Sequence, residues 1–176
     1  MFESLAALVQ PWADLYADSN ALSTAVLTVH VLAMFVGGGM AVGADRSILR
    51  AAPGSAEAVR AVVADLSNIH AVIIGALSVT IVSGAALFAS DVATFSVARV
   101  YWTKMGLLAL LLVNGLRMRR AERAVLHPLE NIPIHTTEMP VVFPKREWNS
   151  VRSAAWVSMA LWMSIVVLGV VLTNNG

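Results

Sequence analysis

The sequence predicts an all-α integral membrane protein: an up-down four-helix bundle preceded by an interfacial helix. Three observations predict it. Hydrophobic residues make up 58% of the chain and charged residues 13%, whereas a soluble domain carries roughly 25% charged residues. Four stretches, at about residues 21–44, 66–89, 98–118 and 151–173, approach or exceed the ~20 apolar residues that cross a bilayer. Ten of the twelve Lys and Arg fall within residues 45–65 and 117–152, an asymmetry that puts those segments in the cytoplasm and both termini outside.

Residues 1–18 are too polar to span. Phe2, Leu5, Val9, Trp12 and Tyr16 gather on one side of a helix at about residues 2–17, which Pro11 interrupts. A helix lying at the headgroup level fits this pattern. Met1 to Leu8 holds Glu3 and no Lys or Arg, so no cleavable signal is expected and the first spanning helix is expected to act as an uncleaved one. Asp18-Ser19-Asn20 offers a cap for that helix.

The first span, from Ala21 to Ala44, is uncharged and holds one ionisable residue, His30, followed by Gly37-Gly38-Gly39. His30, Met34, Gly37, Ala41 and Asp45 share one face at helical spacing. Pro53-Gly54 makes a turn, and Ser55 caps a second helix that starts polar and becomes apolar from Ile69. Asp91 to Ser96 is expected as a short loop. The third span opens with Tyr101 and Trp102, has Lys104 a turn inside, and ends at Asn114 and the Arg117, Arg119, Arg120, Arg123 cluster. Residues 119–150 are expected as a cytoplasmic loop, with Pro128, Pro133, Pro140, Pro144, His127 and His135. The fourth span carries Trp156 and Trp162. The chain shows no convincing internal repeat and reads as a single membrane domain.

A net charge of +1 gives no electrostatic case for nucleic acid. The absence of cysteine excludes disulfides, thiolate metal sites and Cys-held iron–sulfur clusters, but not haem held by histidine. By helical rise, His30 lies ~13 Å and Lys104 ~9 Å below the outer surface, and Thr80 and Ser83 share that outer half. His70, Asn114 and Asp45 form an inner layer. His30 and His70 differ in depth by more than ~10 Å and should not ligate one iron.

An ionisable residue inside a membrane helix points to function. His30 is the leading candidate for a cofactor or metal ligand, Lys104 for a second ligand, proton donor or carboxylate partner, and His70 for a second ligand. Each has a plainer reading. His30 is also what a buried histidine bonded to a neighbouring helix looks like. Lys104 can snorkel beside Trp102, and His70 can be a solvated helix entry. The glycine run suits helix packing.

Two motifs carry a family resemblance. HVLAMFVGGGMAVGADR in the first span and YWTKMGLLALLLVNG in the third resemble a broad group of small bacterial membrane proteins. That group includes HemJ-type protoporphyrinogen oxidases, CopD-like copper-resistance proteins and uncharacterised relatives. The resemblance covers spans one to three; the N-terminal helix and the 124–150 segment depart from it. It implies that His30 and Lys104 are the key polar residues and that haem b is the cofactor. The expectation is therefore an inner-membrane protein that binds b-type haem or a related tetrapyrrole and passes electrons, with quinone as a candidate acceptor; a partner membrane subunit is also expected as a candidate partner. The other reading is a non-catalytic subunit whose glycine-rich helix face docks a larger complex or a second copy. A small-solute or metal-ion permease component is a third, weakened by the lack of paired intramembrane acids.

Overall fold

The computed structural model describes residues 2–51, 56–130 and 145–174; His135 and the Pro53-Gly54 turn lie outside the described residues. Every described element is helical: α1 (Phe2–Asp18), α2 (Asn20–Arg50), α3 (Ala56–Ser90), α4 (Val92–Val97), α5 (Arg99–Glu130) and α6 (Lys145–Asn174). Ser19 caps α2, its side chain accepting from the Leu22 amide at 3.2 Å. The expected loop at 91–96 is instead the short α4, because Asp91 accepts from the Thr94 amide at 3.1 Å and starts another turn.

The four long helices pack antiparallel in ring order α3, α2, α6, α5. α2 pairs with α3 and α6, and α5 pairs with α6. α2 and α5 stand diagonally, as do α3 and α6, while α3 and α5 touch only lightly. The buried positions explain the pairing. On α6, Trp148, Val151, Ala155, Ser158, Trp162 and Ile165 recur at alternating three- and four-residue steps, the seam of an antiparallel coiled-coil-like contact. On α5 the seam is Leu111, Asn114, Met118, Glu122 and Val125.

That seam corrects one boundary. The segment expected as a loop at 119–150 is helical at both ends, since α5 runs to Glu130 and α6 begins at Lys145. Here Val125 and Trp148 join Ile48, Leu66, Met118 and Val151 in the largest core cluster. A smaller one, Ala41, Leu111, Trp162 and Ile165, fills mid-bundle.

Among the described residues, three helices are long and apolar enough to cross a membrane: Asn20–Arg50, Ile69–Ser90 and Lys145–Val171. α5, the expected third span, is not among them, because Lys104, Asn114 and Arg117 dilute its apolar stretch. α1 has no buried residue and packs against α3, α4 and the start of α2. The Trp12 indole N–H donates to the Ala86 carbonyl at 2.9 Å, and Phe2 meets Trp102 at 6.2 Å between ring centroids. With Phe88, Phe95 and Tyr101, which lie 5.1–6.4 Å apart in the same sense, these rings mark an aromatic end of the bundle. The other end carries the arginines apart from Arg99.

Candidate functional site

The polar residues of the bundle fall into two layers. Near the aromatic end, His30 of α2 is buried against α3, with 9% of its surface exposed. Its Nδ1 lies 3.0 Å from Ser83 Oγ. Ser83 is also buried, and its hydroxyl lies 2.6 Å from the Val79 carbonyl. A serine has one proton to donate. Giving that proton to the shorter contact makes Ser83 the acceptor from His30 and assigns the imidazole proton to Nδ1. The Thr80 carbonyl is within reach as a further acceptor. Nε2 then carries the ring's lone pair. Gly84 makes the approach possible: a Cβ there would sit 3.2 Å from His30 Cε1.

Lys104 belongs to the same layer. It stands on the diagonal helix, half-buried, near enough to His30 to interact electrostatically. A Cβ at Gly169 of α6 would lie 3.8 Å from its Nζ, so the lysine leans toward α6 over a residue with no side chain.

The glycine run is split by its geometry. Gly37 and Gly38 point inward. A Cβ on Gly38 would come within 3.0 Å of the Trp162 ring, and one on Gly37 within 3.1 Å of Ala76. Trp162 therefore fills the notch that a flat cofactor edge would need there. Gly39 and Gly43, four residues apart, meet nothing within 4 Å.

The second layer lies toward the arginine end. The Asn114 amide donates to the Ala154 carbonyl at 2.8 Å, and Ser158 donates to the Asp45 carboxylate. Asp45 is 2% exposed and Glu122 7%, and the two feel one another's charge. His70 Nε2 approaches Glu122 Oε1 at 3.8 Å, too long for a hydrogen bond, and Arg119 is close to both. One oxygen each of Asp45, Asn114 and Glu122 is buried without a partner among the described residues. Burial pushes the Glu122 carboxyl up from 4.5 to about 7; Asp45 adds to this and Arg119 opposes it.

The structure thus brings His30 and Lys104 into one layer and sets His70 in the other. Ser83, level with His30, is thirteen residues from His70 on α3, roughly 20 Å of helical rise. The two histidines do not share a ligand. No group of three or more His, Asp or Glu among the described residues is placed to hold a metal ion. Two members of the second layer escaped the sequence reading. Glu122 was masked by the arginines around it, although it continues the Leu111, Asn114, Met118 stripe. Ser158 sits on the Trp-containing stripe of α6, in an apolar span where no sequence pattern singles it out.

Comparison with protein-family models, curated proteins and solved structures returned no match.

Proposed function

We propose that this chain is a bacterial inner-membrane protein with four spanning helices and both termini outside, holding b-type haem or a related tetrapyrrole and passing electrons, with quinone as the acceptor. α5 completes the four spans in this reading. It packs along α6 through Leu111, Asn114 and Met118, so it must share whatever environment α6 occupies.

The observation that carries the haem reading is the His30–Ser83 pair. A ring whose Nδ1–H is held by a neighbouring helix has a fixed tautomer and orientation, and its Nε2 is free to ligate. This is the usual arrangement behind a metal-bound histidine. Bound haem would supply the one-electron chemistry. His30 Nε2 would hold its iron, and Lys104, a point charge in the same layer, suits a propionate. The lightly packed α3–α5 seam offers a flat ligand a lateral way in. The Gly37-Gly38 notch has no part in it, since Trp162 occupies it. The resemblance of the first and third spans to HemJ-type proteins points the same way.

The test is an absorption spectrum. The purified chain titrated with haem b should develop a sharpened, red-shifted Soret band saturating at a fixed stoichiometry. A folded protein that leaves the free-haem spectrum unchanged would refute the reading.

One observation favours the other class. Gly39 and Gly43 form an outward-facing small-residue pair of the kind that lets two membrane helices approach. A subunit of that kind would be colourless and would co-purify as an oligomer or with a partner.

A further inference from the structure

Away from the two buried layers, the arginine end has a cleft of about 350 Å³ between α5 and α6. It is lined by Arg117, Arg120, Arg146 and Glu147, with Ala121, Ala124 and Ser150 between them. The α5 residues recur at three- and four-residue spacing, so they form one stripe facing the first turns of α6. Small side chains leave the space, and three exposed arginines are among the residues that line it. With Glu147 counted, the lining carries a net charge of +2. None of the three arginines forms a salt bridge among the described residues. Arg119, on another face of α5, acts instead on the buried layer, attracting the Glu122 carboxylate and opposing charge on His70.

The depth of the cleft selects its occupant. On α6, Trp156 is 62% exposed, as an aromatic at a membrane interface is, and Ser150 lies about 9 Å beyond it by helical rise. On α5, Arg117 and Arg120 are roughly 22–27 Å from Trp102 at the aromatic end, close to the ~30 Å of a hydrocarbon core. In the four-span reading both measures put the cleft at the cytoplasmic edge of the hydrocarbon core, where long arginine side chains reach the phosphates. Arginine binds phosphate through paired N–H groups.

We propose that this cleft is a binding site for the phosphate-bearing headgroup of an anionic phospholipid. The arginines clasp the phosphate, and Ala121, Ala124 and Ser150 provide the room. This assignment rests on the four-span reading proposed above but not on any cofactor at His30.

The test uses the full chain in a neutral detergent, following its thermal midpoint as phosphatidylglycerol, phosphatidylcholine or inorganic phosphate is added. A ligand that binds only the native state raises that midpoint. Phosphatidylglycerol should raise it, and neither phosphatidylcholine nor inorganic phosphate should. The R117Q/R120Q/R146Q variant should lose the response. Ser150→Leu keeps every charge but fills the cleft, and should lose it too. A shift of equal size with phosphatidylcholine, or with inorganic phosphate alone, would overturn the proposal. So would a Ser150→Leu protein that responds like the parent, since that is diffuse charge attraction and not a built site. If the triple variant does not fold, Ser150→Leu decides alone.

Discussion

His30 on α2 and Ser83 on the adjacent α3 are joined by a 3.0 Å contact, and the Ser83 hydroxyl lies closer still, 2.6 Å, to the Val79 carbonyl, which assigns the serine as acceptor from the imidazole. The pair fixes the imidazole on a face it shares with Gly37, Ala41 and Asp45, all of them buried.

Ser83→Ala should therefore leave the His30 N–H without its side-chain acceptor inside the bundle. The expected cost is about 1–3 kcal/mol, read as a lowered thermal midpoint of the purified protein. Ser78→Ala is the control, since Ser78 is exposed and bonds only to the Ile74 carbonyl of its own helix at 2.9 Å. It should leave the midpoint nearly unchanged.

The glycines should separate just as cleanly. Gly38→Ala places a Cβ 3.0 Å from the Trp162 ring, and overpacking of this kind costs about 1–3 kcal/mol. Gly39→Ala meets nothing within 4 Å and should be neutral or stabilising by up to about 1 kcal/mol through helix propensity. Combining Gly38→Ala with Trp162→Phe should recover part of the loss. Equal effects at the two glycines would mean that Trp162 does not seat on Gly38.

Glu122 predicts a pH dependence. Its carboxyl is raised from 4.5 to about 7 by burial, so the fold favours the protonated acid. That contribution is present in full below about 4.5 and is lost as pH rises through about 7. Glu122→Gln imitates the protonated form. It should be more stable than the parent at about pH 8, by at most about 3 kcal/mol, and nearly equal to it below the ordinary carboxylate range. Denaturation midpoints of both proteins across that range are the measurement, and a parallel pH dependence in the two would contradict it.

Orientation is tested by reporter fusion. With ten of twelve basic residues in two segments, alkaline phosphatase joined after Gly176 should be active in the periplasm. Phosphatase silent there, with a cytoplasmic reporter active instead, would reverse the assignment of both ends.

The sequence made the α2 face legible. In a long helix with an uncharged stretch, His30, Met34, Gly37, Ala41 and Asp45 at three- and four-residue steps have to share a side, and burial follows from polarity. The separation of His30 from His70 was legible for the same reason, as helical rise alone sets it. Other features depend on which helix meets which. Nothing in GGG names Trp162 as the ring that fills the notch, and nothing in the α6 span singles out Ser158 as the donor to Asp45. Glu122 lay within reach of pattern reading, but the arginines beside it read as a topology signal and ended the helix too early. The same charges hid the core around Trp148 and Val125.

Haem titration of three matched proteins tests most directly whether His30 Nε2 is the ligand. The parent should give a red-shifted Soret band. His30→Ala should give none while keeping the parent's helical circular dichroism. His70→Ala, roughly 20 Å away along the bundle, should keep the band. A His30→Ala protein that binds haem with the parent's spectrum would show that His30 is not the ligand and that its bond to Ser83 serves packing alone.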